Sequence, residues 1–242
     1  MAGTSIIVGA SSGIGAALAR QYALEEGRSV AILARRAAEL EALRAEIEAA
    51  GGRVLALVHD VRDFSAVPQL WERIEAELGE ADLLVQAAGV LPREESPEND
   101  RLTVEVGLVG AIGWLDEAAA RFGARGKGAI VGISSIAGDR GRQAFPAYHA
   151  AKAGLSTFLE SLHYRLHRKG VSVTTIKPGF IDTAMTRGKT GLFWLITPDQ
   201  AARTIRRKVA ARRRQAYVPA RWALVSFVVR AVPAFLMRRM RF

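Results

Sequence analysis

The chain has 242 residues, half of them hydrophobic and 24% charged, a composition that suits one large folded domain and excludes a disordered or fibrous chain. It has no cysteine, which excludes disulfides, thiolate metal sites and a cysteine nucleophile. The net charge of +10 is lopsided: residues 1–202 carry 22 basic and 24 acidic side chains, whereas residues 203–242 carry 12 basic ones and no acid.

Short β-branched runs alternate with helical stretches. The pattern predicts a strand at Ser5–Val8, a helix from about Gly13 to Glu26, a strand at Ser29–Ala34 and a helix at Ala38–Ala50. A strand at Val54–Val58 follows, then a helix at Val67–Leu78 and a strand at Leu83–Gln86. Next come a long helix at Leu102–Phe122, a strand at Ala129–Ile133, a helix at Tyr148–His167 and a strand at Val171–Ile176. A helix at Pro198–Ala211 and a short strand at Ala216–Val218 close the series. Strands that are apolar throughout and separated by helices predict a doubly wound α/β fold, a Rossmann-type parallel sheet of about seven strands covered on both faces. Without repeats or low-complexity linkers, residues 1–220 are expected to form one domain and residues 221–242 a basic, apolar tail.

Met-Ala-Gly-Thr lacks the basic start of a secretion signal, and Arg230 and Pro233 interrupt the most apolar run, Trp222–Met237. The expected location is cytoplasmic. His163 and His167 lie four apart without a matching carboxylate motif, so a helix surface pair is expected and no metal site.

After the first strand, Gly9-Ala-Ser-Ser-Gly13-Ile-Gly15 opens a helix. Glycines there permit a tight turn and close approach to a pyrophosphate, and the helix start offers free N–H groups and a positive dipole end. This loop, together with Tyr148-His-Ala-Ala-Lys152 and Pro178-Gly179, resembles the short-chain dehydrogenase/reductase family in its compact single-domain form, from about Thr4 to Val218. The resemblance implies a dinucleotide held by Gly9, Ser11, Ser12, Gly13, Ile14 and Gly15. At the end of the second strand stand Arg35 and Arg36 where an acid would accept the ribose hydroxyl of NAD. Two arginines suit a 2′-phosphate instead, so NADP(H) is expected, with Arg35 carrying most of the preference and Ser11 and Ser12 adding hydroxyls. Asp60 and Val61 match the family's adenine contact, and Ala87, Ala88 and Gly89 its motif after the fourth strand. Gln86 stands there in place of the usual asparagine and is expected to brace neighbouring strands.

Ser135, Tyr148 and Lys152 fall where the family keeps its catalytic serine, tyrosine and lysine. A phenol of ordinary pKa about 10 exchanges protons poorly at neutral pH, and a nearby ammonium is expected to lower that value. Tyr148 would then exchange a proton with the carbonyl or alcohol oxygen, Ser135 would hydrogen-bond the same oxygen, and Lys152 would also bind the nicotinamide ribose. Pro178, Gly179, Ile181 and Thr183 match the segment beside the nicotinamide. The family's fourth catalytic residue, an asparagine, is replaced by Gly107, which implies a weaker or altered proton relay.

Gly188 and Gly191 precede an apolar run, Leu192–Ile196; the region matches the family's substrate lid and suits an oily substrate, with a helix packed on the body as the alternative. The basic clusters of residues 203–242 beside the apolar run suit attachment to a membrane surface. Packing on a partner subunit and closure of the active site stay open as alternatives, and no nucleic acid is expected. The implied activity interconverts a lipophilic ketone or aldehyde and its alcohol, in a homodimer or homotetramer. The alternative is an NADP-binding regulatory protein with little turnover.

Overall fold

The computed structural model describes residues 3–188 and 190–239. Seven strands, β1 (Thr4–Val8), β2 (Ser29–Ala34), β3 (Val54–Val58), β4 (Ala81–Gln86), β5 (Gly128–Ile133), β6 (Val171–Pro178) and β7 (Gln215–Val218), form one sheet in the order β3-β2-β1-β4-β5-β6-β7. All neighbours run parallel. The helices are α1 (Gly13–Leu24), α2 (Ala37–Ala49), α3 (Val67–Leu78), α4 (Pro97–Val104), α5 (Gly110–Arg125), α6 (Pro146–Leu166), α7 (Pro198–Ala210), α8 (Trp222–Ala231) and α9 (Ala234–Met237). The doubly wound sheet expected from the sequence is the one observed.

Alternation along each strand sends side chains to two apolar layers. Ile6, Leu33, Leu84 and Ile130 join one layer with residues of α3, α5 and α6. Ile7, Ile32, Val85 and Val131 join the other with residues of α1, α2 and α7. Trp71, Trp114 and Phe122 are fully buried in the first layer, with Trp71 edge-on to Phe122 at 5.6 Å. The Trp114 indole N–H donates to His59 Nε2 at 3.1 Å. Burial holds the His59 imidazole below its usual pKa, which favours the neutral acceptor.

The order of strands reverses between β1 and β4. Chains leaving β1 and β4 diverge there, which opens a crevice at the C-terminal strand ends. Gly9 ends β1 with φ +89°, and a Cβ on it would collide with the Ala88 backbone beyond β4. That contact joins the two loops at the reversal and excludes any other residue at position 9.

The long helix differs from its expected span. It begins at Pro97, where the Ser96 side chain accepts from Asn99 N–H at 3.1 Å and proline occupies the first turn. It also carries a π turn at Glu105–Val109 between α4 and α5, with Gly107 buried inside it. The glycines along it have different reasons. A Cβ on Gly110 would come within 2.7 Å of Val61 Cγ2, whereas one on Gly107 would meet only Ala151 Cβ at an ordinary 3.5 Å. Packing therefore demands glycine at 110 and not at 107. Gly110→Ala should destabilise the protein by about 1–3 kcal/mol. Gly107→Ala should stabilise it by about 0.5–1 kcal/mol through helix propensity. Urea unfolding of the two variants beside the parent checks the opposite signs.

Candidate active site

The glycine loop turns tightly because a Cβ on Gly15 would strike the Gly9 carbonyl. Gly13, at φ +58°, faces Thr183, whose Cγ2 lies 3.1 Å from where a Cβ would stand. The first turn of α1 has no acidic residue, and its N-cap Ser12 makes no side-chain cap. The N–H groups of that turn are thus left uncapped at a positive dipole end, a cradle that fits a pyrophosphate. Ile14 lies half-buried in the same turn.

Beside this turn, Arg36 Nη2 donates to Ser11 Oγ at 2.8 Å and to Ser12 Oγ at 2.7 Å. Arg36 also pairs with Glu39 at 3.1 Å. Three donors of the type that binds phosphate meet at one exposed point. Sequence reasoning gave the larger part to Arg35, but the geometry groups Arg36 with the serines. Arg35 is exposed, and its charge helps hold the Asp60 carboxyl below the usual range, behind the larger effect of Arg62 at 2.7 Å. Val61 is buried against Gly110.

Beyond β4, Ala87 N–H donates to the Val8 carbonyl at 2.8 Å, and Ala88 meets Gly9. Gly89 faces Lys152, whose Nζ lies 3.2 Å from the position a Cβ would take. Gln86 is fully buried, and among the described residues neither its amide nitrogen nor its oxygen has a hydrogen-bond partner. It does not brace the strands by hydrogen bonding as expected.

Ser135, Tyr148 and Lys152 come together where α6 packs across the end of β5. Ser134 Oγ donates to the Lys152 carbonyl at 2.9 Å, and Ser156 Oγ donates to the same carbonyl at 2.8 Å. Gly138 is pressed against that carbonyl, which would lie 2.6 Å from a Cβ. His149 Nδ1 meets the Ala137 carbonyl at 2.7 Å. These bonds lock the turn that begins at Ser135 onto the helix that carries Tyr148. Ser135 Oγ accepts from Ala137 N–H at 3.0 Å, and its hydroxyl lies near enough to the Tyr148 phenol to favour the ionised form.

Lys152 is buried, and its Nζ donates to the Ile133 carbonyl at 2.9 Å. Burial pulls its pKa down to about 8. The Tyr148 phenol is pushed up by burial, which the nearby Ser135 hydroxyl only partly offsets. The expected lowering by the lysine is not seen: Nζ lies 5.9 Å from the Tyr148 ring centre and is turned to a backbone carbonyl. At neutral pH the phenol therefore keeps its proton, the form that can donate to a carbonyl oxygen.

Pro178 ends β6, and Gly179 N–H donates to the Val218 carbonyl at 3.0 Å. Ile181 is buried and forms a bridge with Ile196, so the two ends of the 182–195 loop are joined. Thr183 N–H donates to Thr186 Oγ1 at 3.0 Å.

One functional cluster escaped the sequence reading. Asp139, four residues after Ser135, is paired with Lys177 and accepts from Tyr217 OH at 3.0 Å and Ser226 Oγ at 2.6 Å. The side chains of Asp139 and Lys177 are only 3% and 8% exposed. This network ties the Ser135 turn to β6, β7 and α8. Its one sequence signal was a lysine at the buried end of an apolar strand.

The model of the family described as short chain dehydrogenase matches residues 4–191. The chain belongs to the short-chain dehydrogenase family. An uncharacterised oxidoreductase of Mycobacterium tuberculosis is 34% identical over 242 residues, covering 97% of this chain and 96% of the relative. A cis-4-hydroxycyclohexanecarboxylate dehydrogenase of Sinomonas cyclohexanicum is 36% identical, covering 76% of this chain and 75% of its own. A crystal structure of a tryptophan variant of actinorhodin polyketide ketoreductase with NADPH superposes with a TM-score of 0.80 at 26% identity, covering 89% of this chain and 95% of that one. As a member of this family the protein is an oxidoreductase of the CH–OH/C=O type.

Lys152 makes the site's titration readable in stability. The folded protein releases this proton near 8 and the unfolded chain near 10.5, so between those values the unfolded chain holds the extra proton. Stability contributed by this group therefore rises with pH across that window, by up to about 1.4 kcal/mol per unit. Unfolding free energies of the parent and Lys152→Met at pH 7 and 9.5 should show the parent gaining about 1–2 kcal/mol relative to the variant. A constant difference would contradict the burial argument.

Proposed function

We propose that the protein is an NADP(H)-dependent carbonyl reductase acting, reversibly, on a lipophilic ketone or aldehyde. The observation that carries the cofactor choice is the Arg36–Ser11–Ser12 cluster beside the start of α1, a charged and hydroxylic donor set fit for a 2′-phosphate. The similar polyketide ketoreductase, whose crystal structure is with NADPH, points the same way. Gly9, Gly13 and Gly15 would admit the pyrophosphate, Asp60 and Val61 would meet the adenine, and Ala87, Ala88 and Gly89 would border the ribose. Pro178, Gly179, Ile181 and Thr183 would flank the nicotinamide.

NADPH, when bound, supplies a hydride. Tyr148, protonated at rest, would give its proton to the substrate oxygen. Ser135 would hydrogen-bond that oxygen and hold it against the phenol. Lys152, with its depressed pKa, would hold ribose hydroxyls and stabilise the phenolate left behind. Gly107 supplies no side chain to a proton relay, so return of the proton to Tyr148 would rest on Lys152 and solvent. Phe193, Trp194 and Leu195, which are 49%, 38% and 44% exposed, support an oily substrate. A cytoplasmic homodimer or homotetramer is part of the same proposal.

The second reading, a nucleotide-binding regulator with little turnover, is favoured by Gly107 and by the basic, apolar C-terminal tail. Purified protein assayed with NADPH and NADH against a panel of lipophilic ketones and aldehydes separates the two. NADPH-selective turnover that falls by about 10²–10⁴-fold in Tyr148→Phe supports the reductase. NADPH binding with no turnover on any compound supports the regulator. In the same assay, Arg36→Ala should weaken NADPH binding by about tenfold to a hundredfold and leave NADH binding unchanged. Equal weakening of both would remove the 2′-phosphate assignment.

A further inference from the structure

We propose that the outward face of α8 and α9 seats on an anionic lipid bilayer, turning the apolar 192–196 segment toward the membrane. The second clause rests on the reductase reading; the first does not.

α8 is an amphipathic helix mounted the wrong way round for a protein in water. Its Trp222 and Ser226 are buried. Leu224, Phe227, Val228 and Ala231 recur at helical spacing on the opposite face, and the first three are 69%, 73% and 53% exposed. Phe235 and Leu236 of α9 extend the patch at 57% and 42%. The polar side holds the helix down: Ser226 Oγ bonds Asp139 and Tyr217, and Arg140 Nη1 donates to the Arg230 carbonyl at 2.8 Å. The helix is thus pinned by its hydroxyl and presents its aliphatic and aromatic groups to solvent. A patch of that kind marks an interaction surface.

Charge selects the occupant. Between Thr183 and the end of the chain the single acidic residue is Asp199. Arg221, Arg230, Arg238 and Arg239 are all exposed around the patch. A second copy packed on this face would set these arginines against themselves with no carboxylate of the face to receive them. Anionic headgroups complement them, and the apolar groups would enter the acyl boundary. No helix among the described residues is long and apolar enough to cross a membrane, so the mode is in-plane. The expected attachment through all of residues 203–242 narrows accordingly. Arg206 pairs with Glu25 and Glu26 on α1, Arg214 pairs with Glu160, and Arg212 donates to the Gly170 carbonyl.

The candidate substrate segment packs on the start of the same helix. Phe193 stacks on Trp222 at 5.0 Å, Trp194 meets it edge-on at 5.5 Å, and the Arg221 guanidinium lies 4.8 Å over the Trp194 ring. Trp222 in turn is packed against Gly179, where a Cβ would strike its indole. A lipophilic substrate dissolved in the bilayer would reach the site without crossing water.

Flotation of the full chain with phosphatidylcholine vesicles, with and without phosphatidylglycerol, tests the proposal. The protein should float with the anionic vesicles, much less with phosphatidylcholine alone, and be partly released by salt. Leu224→Glu with Phe227→Glu, and separately Arg238→Ala with Arg239→Ala, should each lower the partition coefficient by about tenfold, with unchanged circular dichroism. Phe227→Ser, at the most exposed of these positions, repeats the readout should the double glutamate variant fail to fold. No anionic binding, or binding that these variants leave unchanged, would overturn the proposal. So would a parent oligomer that Phe227→Ser splits into monomers, which would give the face to a second copy. Vesicle binding is read without turnover, so a failed reductase assay leaves this result standing.

Discussion

The closure of α6 over the end of β5 is the constraint on which the site depends. Three bonds and one close contact converge on the backbone around Lys152: Ser134 and Ser156 on its carbonyl, its own Nζ on the Ile133 carbonyl, and Gly138 against its main chain. The candidate serine lies one residue beyond Ser134, and the candidate tyrosine one helical turn before Lys152. Their mutual placement is therefore set by side-chain bonds to buried main-chain carbonyls rather than by the exposed loops around them. The cost falls on the lysine. Burying an ammonium is opposed by several kcal/mol of lost hydration, and here the proton loosens to about 8.

The same economy of position explains why the site lies at the sheet's reversal. β1 and β4 diverge, and Gly9 lets their following loops touch. The helix N-terminus, the Arg36 cluster and the Lys152 joint all open on that crevice, each fixed by a different strand end. On the far side, the buried Asp139–Lys177 pair carries the Ser135 turn outward to α8. The C-terminal helix is thereby coupled to the candidate catalytic turn through the Asp139 carboxylate and through Arg140 on the Arg230 carbonyl.

Much of this was legible in the sequence because it is written in local rules. Apolar runs separated by helical periods gave every strand to within about two residues. The glycine loop, and the Tyr148 and Lys152 pair one turn apart, were readable because each is a short-range pattern. What the sequence did not reveal depends on contacts distant along the chain. The π turn at Glu105–Val109 leaves no mark beyond Gly107. The choice of Arg36 over Arg35 depends on where the glycine loop lies. The raised phenol pKa follows from burial, which spacing cannot report. Which residues of α8 face outward was hidden, because the run Trp222–Met237 shows its apolar character but not that Asp139 and Tyr217 hold the Ser226 side.

The most direct test is a crystal structure of the protein with NADP⁺. The account predicts the 2′-phosphate within hydrogen-bonding distance of Arg36, Ser11 and Ser12, the pyrophosphate at the start of α1, and the nicotinamide between Tyr148 and Thr183. A 2′-phosphate directed away from Arg36 into solvent, or a nicotinamide remote from the Tyr148 phenol, would contradict it.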